Sequence, residues 1–178
     1  MLIPGQTVSF SSLLRMGYDR KRIRGMQLSF ALFPTPFKGI YYVPFDSERK
    51  AKSMGDPLKV LTMAIRLYLG TDQFYYTCRT AEEWHGIEWH PSGLVHVANG
   101  KLSRRIDIER RAELRRKGKT YYSRHVSSVL SQYGRAIIFH RSAGIASAKY
   151  VLTPSGRFAT KRQLARDKSM GMCGRAER

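Results

Sequence analysis

DRKRIRGMQLSFALFPTPFKGIYYVP, residues 19–44, is the stretch that decides the predicted fold. Aspartate is a preferred helix N-cap, and four cations follow Asp19 within five residues. We therefore predict a short helix that packs through Ile23, Met26 and Leu28 and carries Arg20, Lys21, Arg22 and Arg24. The β-prone segments FALF and GIYYVP come next, and the turn between them, which contains proline and glycine, predicts a hairpin.

A second short helix is predicted just upstream. The segment Ser9–Leu14 begins with a hydroxyl N-cap, and the pattern stops at Gly17. Two short helices joined by a tight turn are typical of a helix-turn-helix, and the hairpin would form its wing. Such a helix enters the major groove, while the hairpin lies against the DNA backbone. Residues 1–50 are thus interpreted as a winged helix-turn-helix DNA-binding domain, with a solvated basic helix beside a structural hairpin as the alternative.

The charge of the chain is strongly positive and unevenly distributed. In 178 residues there are 32 lysines and arginines and 13 acidic residues, which gives a net charge of +19. Residues 1–55 carry nine cations against three acids, residues 56–98 three against five, and residues 99–178 twenty against five. Such an excess favours a polyanionic partner, most commonly nucleic acid. No apolar run suits a membrane span and no secretion signal is present, so we expect a soluble, cytoplasmic protein without a membrane partner.

The middle of the chain predicts a domain joint followed by helices. Residues 47–56 are polar and contain glycine, which marks the joint. Asp56 and Pro57 then start a helix with a dense apolar stripe. Thr80 is predicted to cap a further helix that ends at Gly86.

Strand candidates follow, and they determine the predicted fold class. GLVHVA (93–98) and RAIIFHR (135–141) are β-prone, and YYSRHVSSVL (121–130) fits either a strand or a helix. The predicted fold class is α+β, in which a small mixed α/β domain over residues 56–142 follows the winged helix-turn-helix. Residues 143–178 are predicted to form a basic, partly ordered tail.

A second cluster of cations occupies residues 103–119. Its arginines come in pairs, which recur on neighbouring faces of a helix, and we interpret the cluster as a second nucleic-acid contact. The alternative is an exposed basic helix that Glu109 and Glu113 partly neutralise. The predicted DNA-binding residues are Arg20, Lys21, Arg22, Arg24, Lys38 and Tyr41 in the first block and Arg104, Arg105, Arg110, Arg111, Arg115 and Arg116 in the second.

The chemistry of these side chains predicts their roles. The guanidinium forks of Arg20, Arg22 and Arg24 suit guanine edges, whereas Lys21 and Lys38 suit phosphates. Four of the tyrosines are candidates for stacking on the bases of single-stranded nucleic acid. The alternative is that they are half-buried strand residues. These tyrosines are Tyr41, Tyr42, Tyr121 and Tyr122.

The sequence gives little support to an active site. A group of potential metal ligands lies close together in sequence, but it lacks an H-E-x-x-H motif, and Gly86 and Pro91 interrupt the helix that would present it. Its members are Glu83, His85, Glu88, His90 and His96. Asp107 and Glu109 resemble the acidic pair of a magnesium-dependent nuclease, but arginine follows Glu109 where lysine would be needed nearby. We predict no catalytic residue, no metal and no cofactor.

The chain contains two cysteines, Cys78 and Cys173, which lie far apart in sequence. We interpret them as one buried and one exposed thiol. A disulfide or a pair of metal ligands is the alternative.

Several segments recur in an order that resembles a known family. They are the wing end KGIYYVP (38–44), the helix DPLKVLTMAIRLY (56–68) and the segment FYYTCRTAEEWHGI (74–87), followed by GLVHVANGKLSRRI (93–106) and RAIIFHR. Over residues 8–141 this order and spacing resemble the AbiEi-type antitoxins of abortive-infection, type IV toxin–antitoxin systems. The chain departs from the winged-helix pattern because only eight residues precede Ser9, where a first helix normally stands.

The resemblance implies an N-terminal winged helix that binds operator DNA and represses its own operon. It also implies a C-terminal antitoxin region that opposes a nucleotidyltransferase-like toxin. We therefore predict a DNA-binding transcriptional repressor rather than an enzyme, and we expect a homodimer, or two copies on inverted repeats, because paired half-sites raise affinity. The alternatives are a structural RNA-binding protein and, less favoured, a metal-dependent nuclease.

Overall fold

The structure of this protein is a computed structural model, which describes residues 2–118 and 120–174. It combines helices and sheets, as the predicted α+β class requires. The chain forms two compact units that alternate along the sequence. The first unit comprises residues 1–70 and 108–133, and the second comprises residues 71–107 and 134–178.

The secondary-structure elements are numbered in chain order. The first unit opens with β1 (Thr7–Ser9), α1 (Phe10–Arg15), α2 (Arg20–Leu28), β2 (Phe33–Pro34), β3 (Ile40–Tyr42), α3 (Asp46–Ala51) and α4 (Pro57–Leu69). The second unit then contributes β4 (Phe74–Tyr76), α5 (Cys78–Trp84), β5 (Leu94–Asn99) and β6 (Arg104–Asp107). The chain returns to the first unit with α6 (Ile108–Arg116) and α7 (Tyr121–Ser131). It ends in the second unit with β7 (Ala136–Arg141), a 3₁₀ helix (Ile145–Ser147), β8 (Tyr150–Thr153), β9 (Gly156–Ala159) and α8 (Lys161–Ser169).

The two predicted N-terminal helices form where their caps place them. The Ser9 hydroxyl accepts a hydrogen bond from the Ser12 amide at 3.1 Å. The Asp19 carboxylate accepts one from the Arg22 amide at 2.6 Å. Each bond satisfies an amide that the first turn of a helix leaves without an intrahelical partner.

A small antiparallel sheet in the order β1-β3-β2 supports these helices. Strands β2 and β3 are the two arms of the predicted hairpin, and Phe33 pairs with Tyr42. The local core consists of one residue from each neighbouring segment, namely Val8, Leu13, Ile23, Leu32 and Val43. Because Ile23 belongs to this core, α2 is fixed against the sheet.

The second unit is built on a six-stranded mixed sheet in the order β6-β7-β5-β4-β9-β8. Strand β5 runs parallel to β7, and β4 runs parallel to β9, whereas the other neighbours are antiparallel. The two strands predicted from GLVHVA and RAIIFHR are therefore confirmed as β5 and β7. Both are almost completely buried, which explains why their sequences are nearly continuous apolar runs.

Some predicted boundaries are wrong. Helix α3 covers residues 47–51 of the polar joint predicted at residues 47–56, and both sides of the joint belong to the first unit. Helix α5 begins at Cys78 after the N-cap Thr77, three residues before the predicted cap. The ambiguous segment 121–130 lies in helix α7, whose Thr120 hydroxyl accepts from the Ser123 amide.

The two units do not coincide with the predicted segments 1–50, 56–142 and 143–178. Residues 150–169, predicted as part of a partly ordered tail, form a β-hairpin and helix α8. Phe158, Leu164 and Asp167 are buried there, so this segment completes the core of the second unit. Residues 175–178, the end of the predicted tail, lie outside the described residues.

The cysteine interpretation is also wrong. Cys78 and Cys173, 95 positions apart, are joined by a disulfide within the second unit. Helix α8 packs against α5, so the C-terminal segment lies near the start of α5. No local sequence pattern predicts this contact. Within the described part of the chain, none of the helices has both the length and the apolarity needed to cross a bilayer.

Candidate nucleic-acid interface

Helix α2 presents its cations to solvent. Ile23 is only 1% exposed and anchors the helix. The side chains of the four cations, Arg20, Lys21, Arg22 and Arg24, are all exposed. The guanidinium of Arg22 lies 4.8 Å from the centroid of the Tyr18 ring, a cation–π contact that restrains it without burying it.

The hairpin presents Lys38 at its turn. The Thr35 hydroxyl donates to the Ile40 carbonyl at 2.8 Å and accepts from the Phe37 amide at 3.2 Å, which closes the turn. Gly39 follows with φ at +77°, a left-handed conformation that glycine adopts without strain. Lys38 is exposed beside this fixed turn, so its ammonium has access to an anion.

Gln27 connects α2 with the hairpin and with α7. Its side-chain oxygen accepts a hydrogen bond from the Tyr122 hydroxyl at 3.2 Å. The Tyr41 hydroxyl also forms a hydrogen bond with Gln27, and burial raises the pKa of Tyr41. These contacts place two predicted tyrosines beside the C-terminal half of α2.

Helix α6 adds the second set of cations to the same unit. Ile108 and Ala112, one turn apart, are its buried residues. Arg110, Arg111, Arg115 and Arg116 are exposed. The Arg111 guanidinium donates to the Pro36 carbonyl, which ties α6 to the hairpin turn. Arg116 forms an exposed ion pair with Glu113 at 3.9 Å, a contact of small energetic value.

Tyr122 lies between the two basic blocks. Burial raises the pKa of the Tyr122 hydroxyl, while Arg115 and Arg24 act in the opposite direction. A guanidinium from α2 and one from α6 are therefore within electrostatic reach of the same hydroxyl. The two blocks, separated by about eighty residues of sequence, meet in one unit.

A groove of about 410 Å³ opens at this meeting point. The polar residues that line it come from α2, the hairpin, α6 and α7, and they are Gln27, Thr35, Lys38, Tyr41, Arg111, Arg115 and Tyr122. We call this feature the tyrosine groove. Its cations and half-buried aromatic rings are the combination that phosphates and nucleobases require.

Ten of the twelve predicted DNA-binding residues lie in the first unit. Arg104 and Arg105 do not, because they belong to strand β6 at the edge of the second unit's sheet. Residues 103–119 do not form one continuous basic helix, the alternative for this cluster, since Arg104–Asp107 pair with β7 before α6 begins. Lys119, the last cation of that cluster, lies outside the described residues.

The four tyrosines proposed for base stacking differ in exposure. Tyr42 is 2% exposed, and its hydroxyl donates to Glu48 at 2.6 Å, so its ring is not available for stacking. Tyr121 is exposed, with the Lys52 ammonium 4.7 Å from its ring centroid. Tyr41 and Tyr122 are half-buried at the tyrosine groove. Gln27 forms hydrogen bonds with both Tyr41 and Tyr122, and no sequence pattern indicates this role.

The sequence-adjacent histidines and glutamates of the second unit have separate roles. The His85 ring lies 2.8 Å from the Ala159 carbonyl, and Glu83 accepts hydrogen bonds from Ser92. Glu88 pairs with Arg79 at 3.5 Å, and its exposed neighbour is His90. Only His96 is fully buried, and burial is the main cause that lowers its pKa to about 4.

No protein-family model, curated protein or solved structure matches this chain.

Proposed function

We propose that the first unit binds duplex DNA as a winged helix-turn-helix, with α2 as the recognition helix and the β2–β3 hairpin as the wing. In this proposal α6 supplies a second set of phosphate contacts beside the wing. The observation that carries the proposal is the tyrosine groove, which Gln27 of α2, Lys38 of the hairpin and Arg115 of α6 line together.

The order of the N-terminal elements supports the assignment of α2. A strand, two short helices and a hairpin follow one another, and the strand adds to the hairpin to make the sheet β1-β3-β2. A helix-turn-helix uses its second helix in the major groove, and here the second helix carries the exposed cations. Its buried side holds Ile23 in the core, so the outward side keeps its orientation.

Charge supports a polyanionic ligand for the first unit. This unit contains eighteen lysines and arginines and six acidic residues. Each cation that neutralises a phosphate releases condensed counterions, which favours binding and makes it dependent on salt.

Different cations have different roles in the proposal. Arg20, Arg22 and Arg24 extend from the recognition helix toward base edges, where arginine forms a bidentate pair with guanine. Lys21, Lys38 and Arg115 contact phosphates. Arg111 acts mainly on the fold, because its guanidinium already donates to the Pro36 carbonyl.

The regulatory part of the proposal rests on the sequence resemblance to AbiEi-type antitoxins. On that basis the DNA is an operator upstream of the protein's own gene, and the partner is a nucleotidyltransferase-like toxin. A footprint in that upstream region is the expected result. Absence of protection there, with intact binding to other duplexes, would remove the repressor role and leave a DNA-binding protein.

The test of DNA binding compares duplex DNA with structured RNA of equal length over one series of salt concentrations. We expect tighter binding to the duplex, with a logarithmic salt slope of about 0.9 per phosphate neutralised. Equal affinity for the two nucleic acids would favour the RNA-binding alternative. Binding that does not respond to salt would contradict both proposals.

A further inference from the structure

Two histidines face each other inside the second unit. His96 lies on β5 and His140 on β7, and in the parallel register they pair with Ile138 and Ala98 respectively. Because side chains alternate along a strand, an offset of two residues places both rings on the same face of the sheet. The Nδ1 atom of His96 is 3.0 Å from the Nε2 atom of His140. Both residues are buried, at 0% and 8% exposure.

Cysteine sulfurs complete a cluster around these rings. The Cys78 Sγ and one nitrogen from each histidine all lie within 4.8 Å of one another. Within residues 2–118 and 120–174, this is the only group of three or more histidine, cysteine or acidic side chains with such spacing. The disulfide bond holds Cys173 Sγ directly beside Cys78 Sγ, which brings a second sulfur, and so a fourth potential ligand, to the cluster.

One atom of the cluster has an unsatisfied hydrogen-bonding capacity. His96 Nε2 is buried and has no hydrogen-bond partner among the described residues. A buried polar atom left without a partner costs about 1–3 kcal/mol, so such atoms are uncommon in folded proteins unless they serve a further purpose. A ring that can shift to give a nitrogen to a ligand is one such purpose.

We propose that reduction of the Cys78–Cys173 disulfide creates a buried zinc site whose ligands are the two cysteine thiolates and the imidazoles of His96 and His140. Two sulfurs and two nitrogens are the ligand set of tetrahedral structural zinc. Zinc–ligand bonds of about 2.0–2.3 Å place tetrahedral ligand atoms roughly 3.3–3.8 Å apart. His96 Nδ1 and His140 Nε2 are 3.0 Å apart, and one nitrogen of each ring lies within 4.8 Å of the Cys78 sulfur, so side-chain movements of about 1–2 Å bring these atoms to such separations once the disulfide is reduced.

Charge balance favours this set of four ligands. Two thiolates and two neutral imidazoles around a divalent ion give a net charge of zero, which suits a buried site.

A cavity gives access to the cluster. It has a volume of about 410 Å³ and is lined by His140, Gln163 and Met172, among others. Met172 immediately precedes Cys173 in the chain. The cavity thus reaches His140 and the residue beside Cys173, and in the proposal a small dithiol and a metal ion enter the cluster from there.

The exchange balances as a two-electron reaction. A thiolate of a dithiol reductant attacks one sulfur of the Cys78–Cys173 bond and forms a mixed disulfide. The second thiol of the reductant displaces the remaining protein sulfur, so the reductant becomes a disulfide and the protein gains two electrons and two protons. Binding of the divalent ion then releases those two protons to solvent. Oxidation by a small-molecule disulfide reverses the sequence and expels the ion.

The test uses the full chain, which has no cysteines besides these two. Protein reduced with a dithiol, freed of reductant without oxygen and checked for folding by circular dichroism, is titrated with Co²⁺ as a probe and then with Zn²⁺. We expect a single Co²⁺ per chain with the absorption bands of tetrahedral cobalt bound to thiolate. We also expect Zn²⁺ to displace the Co²⁺ and to protect both thiols from alkylation until a chelator is added. The oxidised protein should show none of these signals.

Matched histidine variants test the ligand assignment. Loss of a residue that hydrogen-bonds to a metal ligand weakens metal binding by about 10–100-fold. Loss of a ligand itself should cost more, so His140→Ala should weaken Co²⁺ binding by more than about 100-fold. His90→Ala removes an exposed histidine of the same unit and should leave the affinity unchanged.

Three results would overturn the zinc site. The first is alkylation of both thiols at the same rate with and without Zn²⁺ in the folded, reduced protein. The second is Co²⁺ binding by the oxidised protein that equals binding by the reduced protein. The third is a disulfide that dithiols do not reduce while the chain is folded. All three use the unmodified sequence, so they decide the matter even if His140→Ala does not fold.

Discussion

Single residues determine where the proposed recognition helix begins and how it is held. Asp19 caps α2 through the Arg22 amide, and Ile23, one turn further on, is buried in the core. The cap satisfies one of the amides left free in the first turn. It therefore stabilises the part of the helix that carries Arg20, Lys21 and Arg22.

Replacement of Asp19 tests this role of the cap. Asp19→Ala should lower the free energy of unfolding by about 1 kcal/mol, because the first turn loses its side-chain acceptor. Asp19→Asn keeps an acceptor without the charge and should remain within a few tenths of a kcal/mol of the parent. Urea unfolding measures both values. Equal destabilisation by the two variants would show that the carboxylate charge, not the cap, stabilises the helix.

Tyr133 couples the stability of the first unit to alkaline pH. It is 3% exposed, and its hydroxyl donates to the Pro34 carbonyl at 3.3 Å. Burial is the main cause that raises its pKa above the ordinary value of 10.0, with Tyr42 and Glu48 as further causes. Because the pKa is raised in the folded state, the contribution to stability is complete below about pH 10 and is lost as the pH rises further.

Tyr133→Phe should reduce this alkaline loss of stability. Each proton that unfolding releases contributes a slope of about 1.4 kcal/mol per pH unit, so the variant should lose stability less steeply above about pH 10. Unfolding free energies measured from about pH 8 to about pH 11 give the two slopes. Parallel curves for parent and variant would contradict a buried, protonated Tyr133.

At the level of elements, α2 depends on one buried side chain for its orientation. Ile23 is the buried residue of this helix, and it packs with Val8 of β1 and Leu13 of α1. The cations occupy the positions around it that face solvent. Loss of packing at Ile23 should therefore disturb DNA binding although Ile23 itself contacts no ligand.

A graded series at position 23 tests this dependence. Ile23→Val should cost about 0.5–1.5 kcal/mol and Ile23→Ala about 2–5 kcal/mol, because the cavity grows with each group removed. Leu28→Ala, in the same helix at a residue that is 50% exposed, is the control and should cost much less. The free energy of unfolding and the affinity for duplex DNA are measured on the same proteins. Both should be lower for Ile23→Val than for the parent and lower still for Ile23→Ala. Full duplex affinity in a strongly destabilised Ile23→Ala protein would contradict the proposed role of α2.

Some elements can be predicted from the sequence because their signals are local. The Asp19 cap, the hairpin turn around Gly39 and the helix that begins at Pro57 all depend on residues close together in the chain. The strands β5 and β7 are also recognisable from their apolar runs. In each of these cases the residue pattern and the tertiary environment favour the same conformation.

Other features depend on contacts between distant residues. The segment 104–107 becomes a strand because β7 pairs with it, although its paired arginines also suit a helix. The His96–His140 contact and the Cys78–Cys173 bond join residues on separate elements, and no spacing rule predicts them. The groove that Gln27 of α2 and Arg115 of α6 both line likewise requires the chain to return to the first unit after residue 107.

At the level of the whole molecule, the return of the chain brings the second basic block into the first unit. Residues 71–107 belong to a separate unit, yet α7 packs against β2, α6 packs against α7, and Arg111 of α6 donates to the Pro36 carbonyl. In the proposal, the cations of α6 act with those of α2 on one ligand. This joint action is the central claim, and it distinguishes a shared interface from two unrelated basic helices.

The most direct test is the salt dependence of duplex binding by two charge-matched double variants. Arg24→Ala with Arg115→Ala removes one cation from each basic block, and it should lower the logarithmic salt slope by about 2. Lys59→Ala with Arg66→Ala removes two exposed cations of α4 in the same unit and should leave the slope unchanged. An equal decrease in both double variants, or an unchanged slope in the first, would contradict a shared interface at the tyrosine groove.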